Sequence, residues 1–204
     1  MDLKVVFFLL LIFPLLDLSA KDDSICGTPL HYQVLSSNEP TEGFFWIAGN
    51  KKYDVYYKGA DLILEQRKSN TLWLIPGSSY NLHPNYDIEI DSVFFQNTSE
   101  NNEKELVIKY SQYRLRPENS GKSKCLLVID IRDKIALLNI TLYDHRLEMD
   151  ENGKLLEYLY ESDVKLYHDR IVVSTTDDSD INDARTQLDD GVYVRKGHCY
   201  ISHE

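Results

Sequence analysis

Apolar and polar positions alternate with a period of two along most of this chain, and short clusters of turn-forming residues interrupt the alternation. This is the pattern of half-buried β-strands. It is clearest over residues 86–91, where Tyr86, Ile88 and Ile90 share one parity and Asp87, Glu89 and Asp91 the other. The same reading gives strands at 31–35, 44–47 and 51–57, with Tyr53, Val55 and Tyr57 on one face. Gly49-Asn50 between the latter two signals a tight hairpin turn. A second pair spans 62–65 and 71–75, joined by the polar residues 67–70. Residues 105–115 resume the pattern with Leu106, Ile108 and Tyr110 in phase, and 116–124 (RPENSGKSK) reads as a loop.

Residues 125–160 form the longest well-patterned stretch after the N-terminus. Residues 126–131 are apolar on both parities, as an interior strand covered on both sides requires. Arg132-Asp133 makes a turn. Ala136, Leu138, Ile140 and Leu142 then form one apolar line, while Asn139 and Thr141 interrupt the other. Residues 150–153 (DENG) end in Asn-Gly, a strong hairpin signal. Short β-prone pieces follow at 155–160, 164–167 and 171–174, then a polar segment at 175–190 and a last strand at 192–200. The one helical period is short, at 180–188, with Ile181, Ala184 and Leu188 on one side. Nine to eleven strands at this spacing predict an all-β, single-domain antiparallel barrel, with a two-sheet β-sandwich as the alternative.

The N-terminus changes the picture of compartment. One lysine, the apolar run at 5–16 and the small pair Ser19-Ala20 have the layout of a secretory signal peptide over residues 1–20. The run is too short to span a membrane as a helix. A single β-rich domain over 21–204 is the expected secreted, extracellular product. In an oxidising compartment its cysteines, Cys26, Cys125 and Cys199, allow one disulfide and leave one thiol. The candidate pairs are 26–125, 26–199 and 125–199. The remaining cysteine is either buried and inert or available to link two chains as a dimer. The chain carries a formal net charge of −11, with 33 acidic against 22 basic residues. An acidic protein without a basic cluster repels phosphate backbones and anionic surfaces, so neither nucleic acid nor membrane insertion is an expected partnership.

Candidate chemistry is sparse. Sequons stand at Asn97-Thr98-Ser99 and Asn139-Ile140-Thr141. A glycan on Asn139 requires that face of the central strand to meet water. Asp178, Asp180, Asn182 and Asp189 occupy positions 1, 3, 5 and 12 of a calcium loop. Asp183 stands where the loop wants glycine, and Asp189 is shorter than the usual glutamate, so this candidate is weak. His198, Cys199 and His203 offer at most three ligands where a closed zinc site wants four. Neither HExxH, CxxC, GxSxG nor a glycine-rich phosphate loop is present. The chain therefore reads as a non-catalytic protein without a cofactor.

Fourteen tyrosines, many in expected strands, suit a ligand cavity or a protein-binding face. In size, leader, strand succession and the late Cys199 the chain resembles, in general form, the lipocalin class of secreted barrels. That class carries an early Gly-x-Trp motif; here Gly43 precedes Phe44-Phe45-Trp46, so the tryptophan follows by three positions rather than two. The leading expectation is a secreted binding protein that holds a small hydrophobic ligand among Trp46, Tyr57, Trp73 and Tyr110. An extracellular protein–protein interaction module is the alternative, and a secreted hydrolase or calcium-binding protein the lesser one.

Overall fold

The computed structural model describes residues 24–36, 42–77, 87–98, 104–116, 119–178 and 188–203. The expected signal peptide and helical turn at 180–188 therefore fall outside the described residues, except Leu188. The rest is almost entirely antiparallel β-structure in two sheets. Five strands form the smaller: β3 (Gln33–Leu35), β4 (Phe45–Gly49), β5 (Tyr53–Lys58), β6 (Asp61–Gln66) and β7 (Thr71–Ile75), in the order β3-β7-β6-β5-β4. The larger is a long meander of β8 (Asp87–Gln96), β9 (Glu105–Arg116), β10 (Asn119–Asp130), β11 (Ile135–Met149), β12 (Leu155–Leu166), β13 (Arg170–Asp178), β14 (Gly191–Lys196) and β15 (Cys199–His203). The first two strands, β1 (Ser24–Cys26) and β2 (Thr28–Pro29), pair with β15 and β11 respectively.

The expected parities hold. Ile88 and Ile90 on β8 point inward, with Asp87, Glu89 and Asp91 outward. On β5, Val55 is fully buried, and Tyr53 and Tyr57 pack against the same core. The apolar run on β10 is covered on both sides. Cys125, Leu127 and Ile129 join Leu106, Ile108 and Tyr110 of β9 in a cluster with Val55, Leu62, Leu64 and Ile75 of the smaller sheet. Leu126, Val128 and Val107 belong to a second cluster with Leu138, Ile140, Ile171, Val173, Tyr193 and Tyr200. Strands β9 and β10 are thus a shared middle layer. Each fully buried aliphatic side chain there contributes about 1.5–3 kcal/mol relative to exposure.

Neither sheet closes into a barrel. The larger one does curl, because residues 24–29 reach from β15 to β11. Gly27 is the crossing point, its N–H donating to the His198 carbonyl at 2.7 Å. A Cβ at Gly27 would run into Ile135 Cγ2 and crowd the carbonyls of Ala136 and His198, so only glycine fits.

Four expectations need correction. Residues 119–124 are not a loop but the first half of β10, paired on both sides. Two complete ladders of backbone hydrogen bonds outweigh the low β-propensity of Asn, Ser, Gly and Lys. Residues 192–200 are not one strand but the β14–β15 hairpin, turned at Gly197, whose φ of 62° suits glycine. The pieces at 155–160 and 164–167 form one strand, β12, kept continuous through a bulge at Glu161/Ser162. The β4–β5 hairpin is present, but its turn lies one step later and works differently. Asn50 Oδ1 accepts the N–H groups of Lys52 and Tyr53 at 2.7 and 2.8 Å.

Candidate functional site

Of the four residues expected to line a ligand cavity, three pack in one core cluster and one stands at the surface. Trp46 is 60% exposed on β4 and donates its indole N–H to Asp54 Oδ1 at 3.0 Å. Tyr57, Trp73 and Tyr110 all join the first core cluster. Tyr110 donates its hydroxyl to Asn139 Oδ1 at 2.9 Å, and burial raises its pKa. Trp73 lies under Lys134, whose Nζ is 4.5 Å from the ring centroid. The apolar gap beside Trp73 measures about 10 Å³. That is the lower limit for one water molecule.

The disulfide joins Cys26 to Cys199, and Cys125 remains a buried thiol facing the first cluster. Cys199 is thereby removed from any ligand set with His198 and His203. Asn139 is half-buried on β11. Asn97 follows β8; Thr98, the middle residue of its sequon, is fully buried, and Ser99 lies outside the described residues. Of the calcium candidates, Asp180 and Asn182 lie outside the described residues, as does the side chain of Asp178. Asp189 offers its carbonyl to the Tyr193 hydroxyl at 2.9 Å.

What the fold does assemble is a cleft of about 380 Å³ at one end of the molecule. Three backbone segments build it: the Asn50-centred turn, the start of β9 and the β10–β11 turn. Lys51, Lys52, Lys104 and Arg132 form an exposed cationic rim, with Tyr53 and Ile131 as apolar wall and floor. Glu105 and Asp130 lie at the bottom, only 2% and 6% exposed.

Those two acids share a single guanidinium from beneath, which balances one of their two charges. Arg195 on β14 reaches Glu105 Oε1 with Nη1 at 2.6 Å and Asp130 Oδ2 with Nη2 at 3.5 Å. Nη1 also lies 3.3 Å from both the carbonyl and the hydroxyl of Thr98. The Thr98 N–H donates to the other Glu105 oxygen at 2.8 Å. A buried ion network of this kind persists only when nearly all its lone pairs and protons are used, and here they are. The consequence above it is electrostatic: Arg195 cancels one of the two acidic charges and Asp133 is paired with Arg132, so the four rim cations outnumber the acidic charge left around the cleft.

Asp133 stands on the same turn. Its backbone N–H donates to Asp130 Oδ1 at 3.1 Å. Its carboxylate takes a bidentate pair from Arg132, with both bonds at 3.0 Å, and His198 Nε2 lies 2.9 Å from Oδ2. Arg132 first and His198 second hold the Asp133 pKa down at about 2. Asp130, Asp133 and His198 have ligand atoms within 4.8 Å of one another, close enough to surround a cation. Arg195 and Arg132 already occupy those carboxylates, so a metal ion would enter against two resident positive charges. The arrangement suits an anion.

The reading of the sequence did not single out Arg195, Glu105, Asp130 or Lys104. Glu105 and Arg195 are 90 residues apart, and no local spacing marks them as partners. The one available signal was an acid at the end of each of two strongly apolar strands. No protein-family model, curated protein or solved structure matches this chain.

Proposed function

We propose that this is an exported, non-catalytic binding protein that holds the phosphate or sulfate group of a small ligand in the cationic cleft. The observation that carries this reading is the rim of Lys51, Lys52, Lys104 and Arg132, whose four cations outnumber the one acidic charge that Arg195 leaves unbalanced beneath them and the one on Asp133. Lysine ammonium groups act as mobile point charges that suit tetrahedral oxyanions. The cleft volume falls in the range of small-molecule sites, and Tyr53 with Ile131 supplies apolar contact for the remainder of the ligand. The acidic balance of the whole chain favours a small anion over a polyanion, because long-range repulsion grows with ligand charge. Export is supported by the leader pattern and by the Cys26–Cys199 disulfide. The curl of the larger sheet supports a barrel-like half, with the smaller sheet packed on it as in a sandwich.

Calorimetric titration with phenyl phosphate and phenyl sulfate tests the reading. Saturable binding is expected, weakening as salt rises and at least about tenfold weaker in Lys104→Glu. Heats that do not saturate, or an affinity unchanged in Lys104→Glu, would overturn it.

A further inference from the structure

Charge in the cleft does not balance, and the size of the imbalance narrows which oxyanion fits. Among the described residues, Lys51, Lys52, Lys104 and Arg132 stand on the rim and Arg195 lies beneath. Three carboxylates face them: Glu105 and Asp130 at the bottom, and Asp133 on the β10–β11 turn. His198 beside Asp133 adds no charge at a pH where histidine is neutral. Five positive charges against three negative ones leave an excess of two.

The excess has an address. Arg195 balances one of the two buried acids, at 2.6 Å from Glu105 and 3.5 Å from Asp130. Arg132 is taken up by Asp133 through two bonds of 3.0 Å. One buried carboxylate charge then remains against three exposed lysines. Of these, Lys51 and Lys104 make no ion pair among the described residues. They belong to different walls: Lys51 to the Asn50-centred turn, and Lys104 to the residue just before β9. A ligand seated in the cleft meets one unspent cation from each.

A phosphate monoester and a sulfate monoester have almost the same shape, three terminal oxygens on a tetrahedral centre. They differ in charge. The second ionisation of a phosphate monoester lies near pH 6 or so, which makes it a dianion above neutrality, whereas the sulfate ester carries one charge. The dianion engages both surplus cations, and the monoanion leaves one unused. Near a protein surface such an attraction is about four times stronger than in bulk water. The rim is exposed, so the dianion keeps part of its hydration and only part of its desolvation cost opposes binding. We infer, resting on the anion-binding reading of this cleft, that it selects a phosphate monoester over a sulfate monoester. Lys51 and Lys104 set that preference.

Calorimetric titration of the full chain at pH 8 with phenyl phosphate and phenyl sulfate isolates the charge, since the ring and the geometry are shared. Phenyl phosphate should bind at least about tenfold more tightly, and its affinity should fall more steeply as salt rises. Inorganic phosphate, a dianion without the ring, should bind several-fold more weakly than phenyl phosphate, because Tyr53 and Ile131 then cover nothing apolar. In Lys51→Gln/Lys104→Gln, a change at two exposed positions, the preference for phosphate should fall below about threefold. Equal affinities for the two phenyl esters overturn the preference while leaving an anion site in place. So does a tenfold preference that survives in the double variant, or inorganic phosphate bound as tightly as its phenyl ester. If neither phenyl ester saturates, the anion-binding reading itself falls, and the preference falls with it.

Discussion

Asp133 shows how a single surface carboxylate reports on its surroundings. Arg132 and His198 both favour its ionised form, which places its titration near 2 rather than near the ordinary 3.9 or so. The folded pKa lies below the unfolded one, so ionised Asp133 favours the folded state above about pH 4. That contribution is lost as pH falls from about 4 through 2. Titration of the Asp133 carboxyl carbon by NMR should give a midpoint near 2, moving up towards the ordinary carboxylate range in Arg132→Ala. A midpoint that stays put would remove Arg132 as the cause. Arg195 presents the buried counterpart. Replacing it with Met leaves Glu105 and Asp130 as buried charges without their counter-ion. Breaking a buried pair in this way costs about 3–5 kcal/mol, readable by urea denaturation. Arg195→Lys restores charge but not the fork that contacts Glu105, Asp130 and Thr98 together, and should recover only part of the loss.

At the scale of elements, the junction at residues 24–29 governs how the meander curls. It is secured by the Gly27–His198 and Leu30–Lys134 backbone bonds at 2.7 and 2.9 Å and by the Cys26–Cys199 disulfide. Gly27→Ala forces a methyl group into Ile135 and the backbone of Ala136 and His198. Overpacking of this kind costs about 1–3 kcal/mol, and the variant should show it as a lowered melting temperature. The disulfide closes a loop of 173 residues. Replacing both cysteines by serine should cost about 2–5 kcal/mol in chemical denaturation. Turn elements divide by how local their cause is. Asp150 accepts the N–H groups of Asn152 and Lys154 at 2.9 and 2.7 Å, and Gly153 takes a φ of 78°, so the DENG turn is readable from four residues. The strand at 119–124 is not readable that way, because its neighbours Leu115, Arg146 and their ladders impose it.

On the scale of the whole molecule, charge is sorted by depth and by end. A chain of net −11 gathers four basic side chains on one cleft rim and sinks two acids below it on a single arginine. Binding at the rim should fall with ionic strength over the range where the Debye length drops from about 30 to 10 Å. Arg195→Met should weaken anion binding as well as stability, because it exposes the cleft to the uncompensated field of Glu105 and Asp130. A calorimetric affinity for phenyl phosphate that is unchanged in a still-folded Arg195→Met would contradict that account.

Parity and turn chemistry were legible in the sequence because each is local. The side-chain period of a strand is two whatever it packs against, which is why Ile88 and Ile90, the Val55 face and the doubly covered 126–131 run fall as expected. The expected all-β class and the presence of one disulfide follow from the same local information. The tertiary structure alone decided which cysteine remained a thiol, and that Tyr57, Trp73 and Tyr110 pack in one core cluster while Trp46 stands exposed. It also decided that Glu105, Asp130 and Arg195 would meet across 65 and 90 residues of chain. The reason is physical: a strand's pattern fixes which way each side chain points, but the curl of the sheet and the crossing at Gly27 fix what it points at.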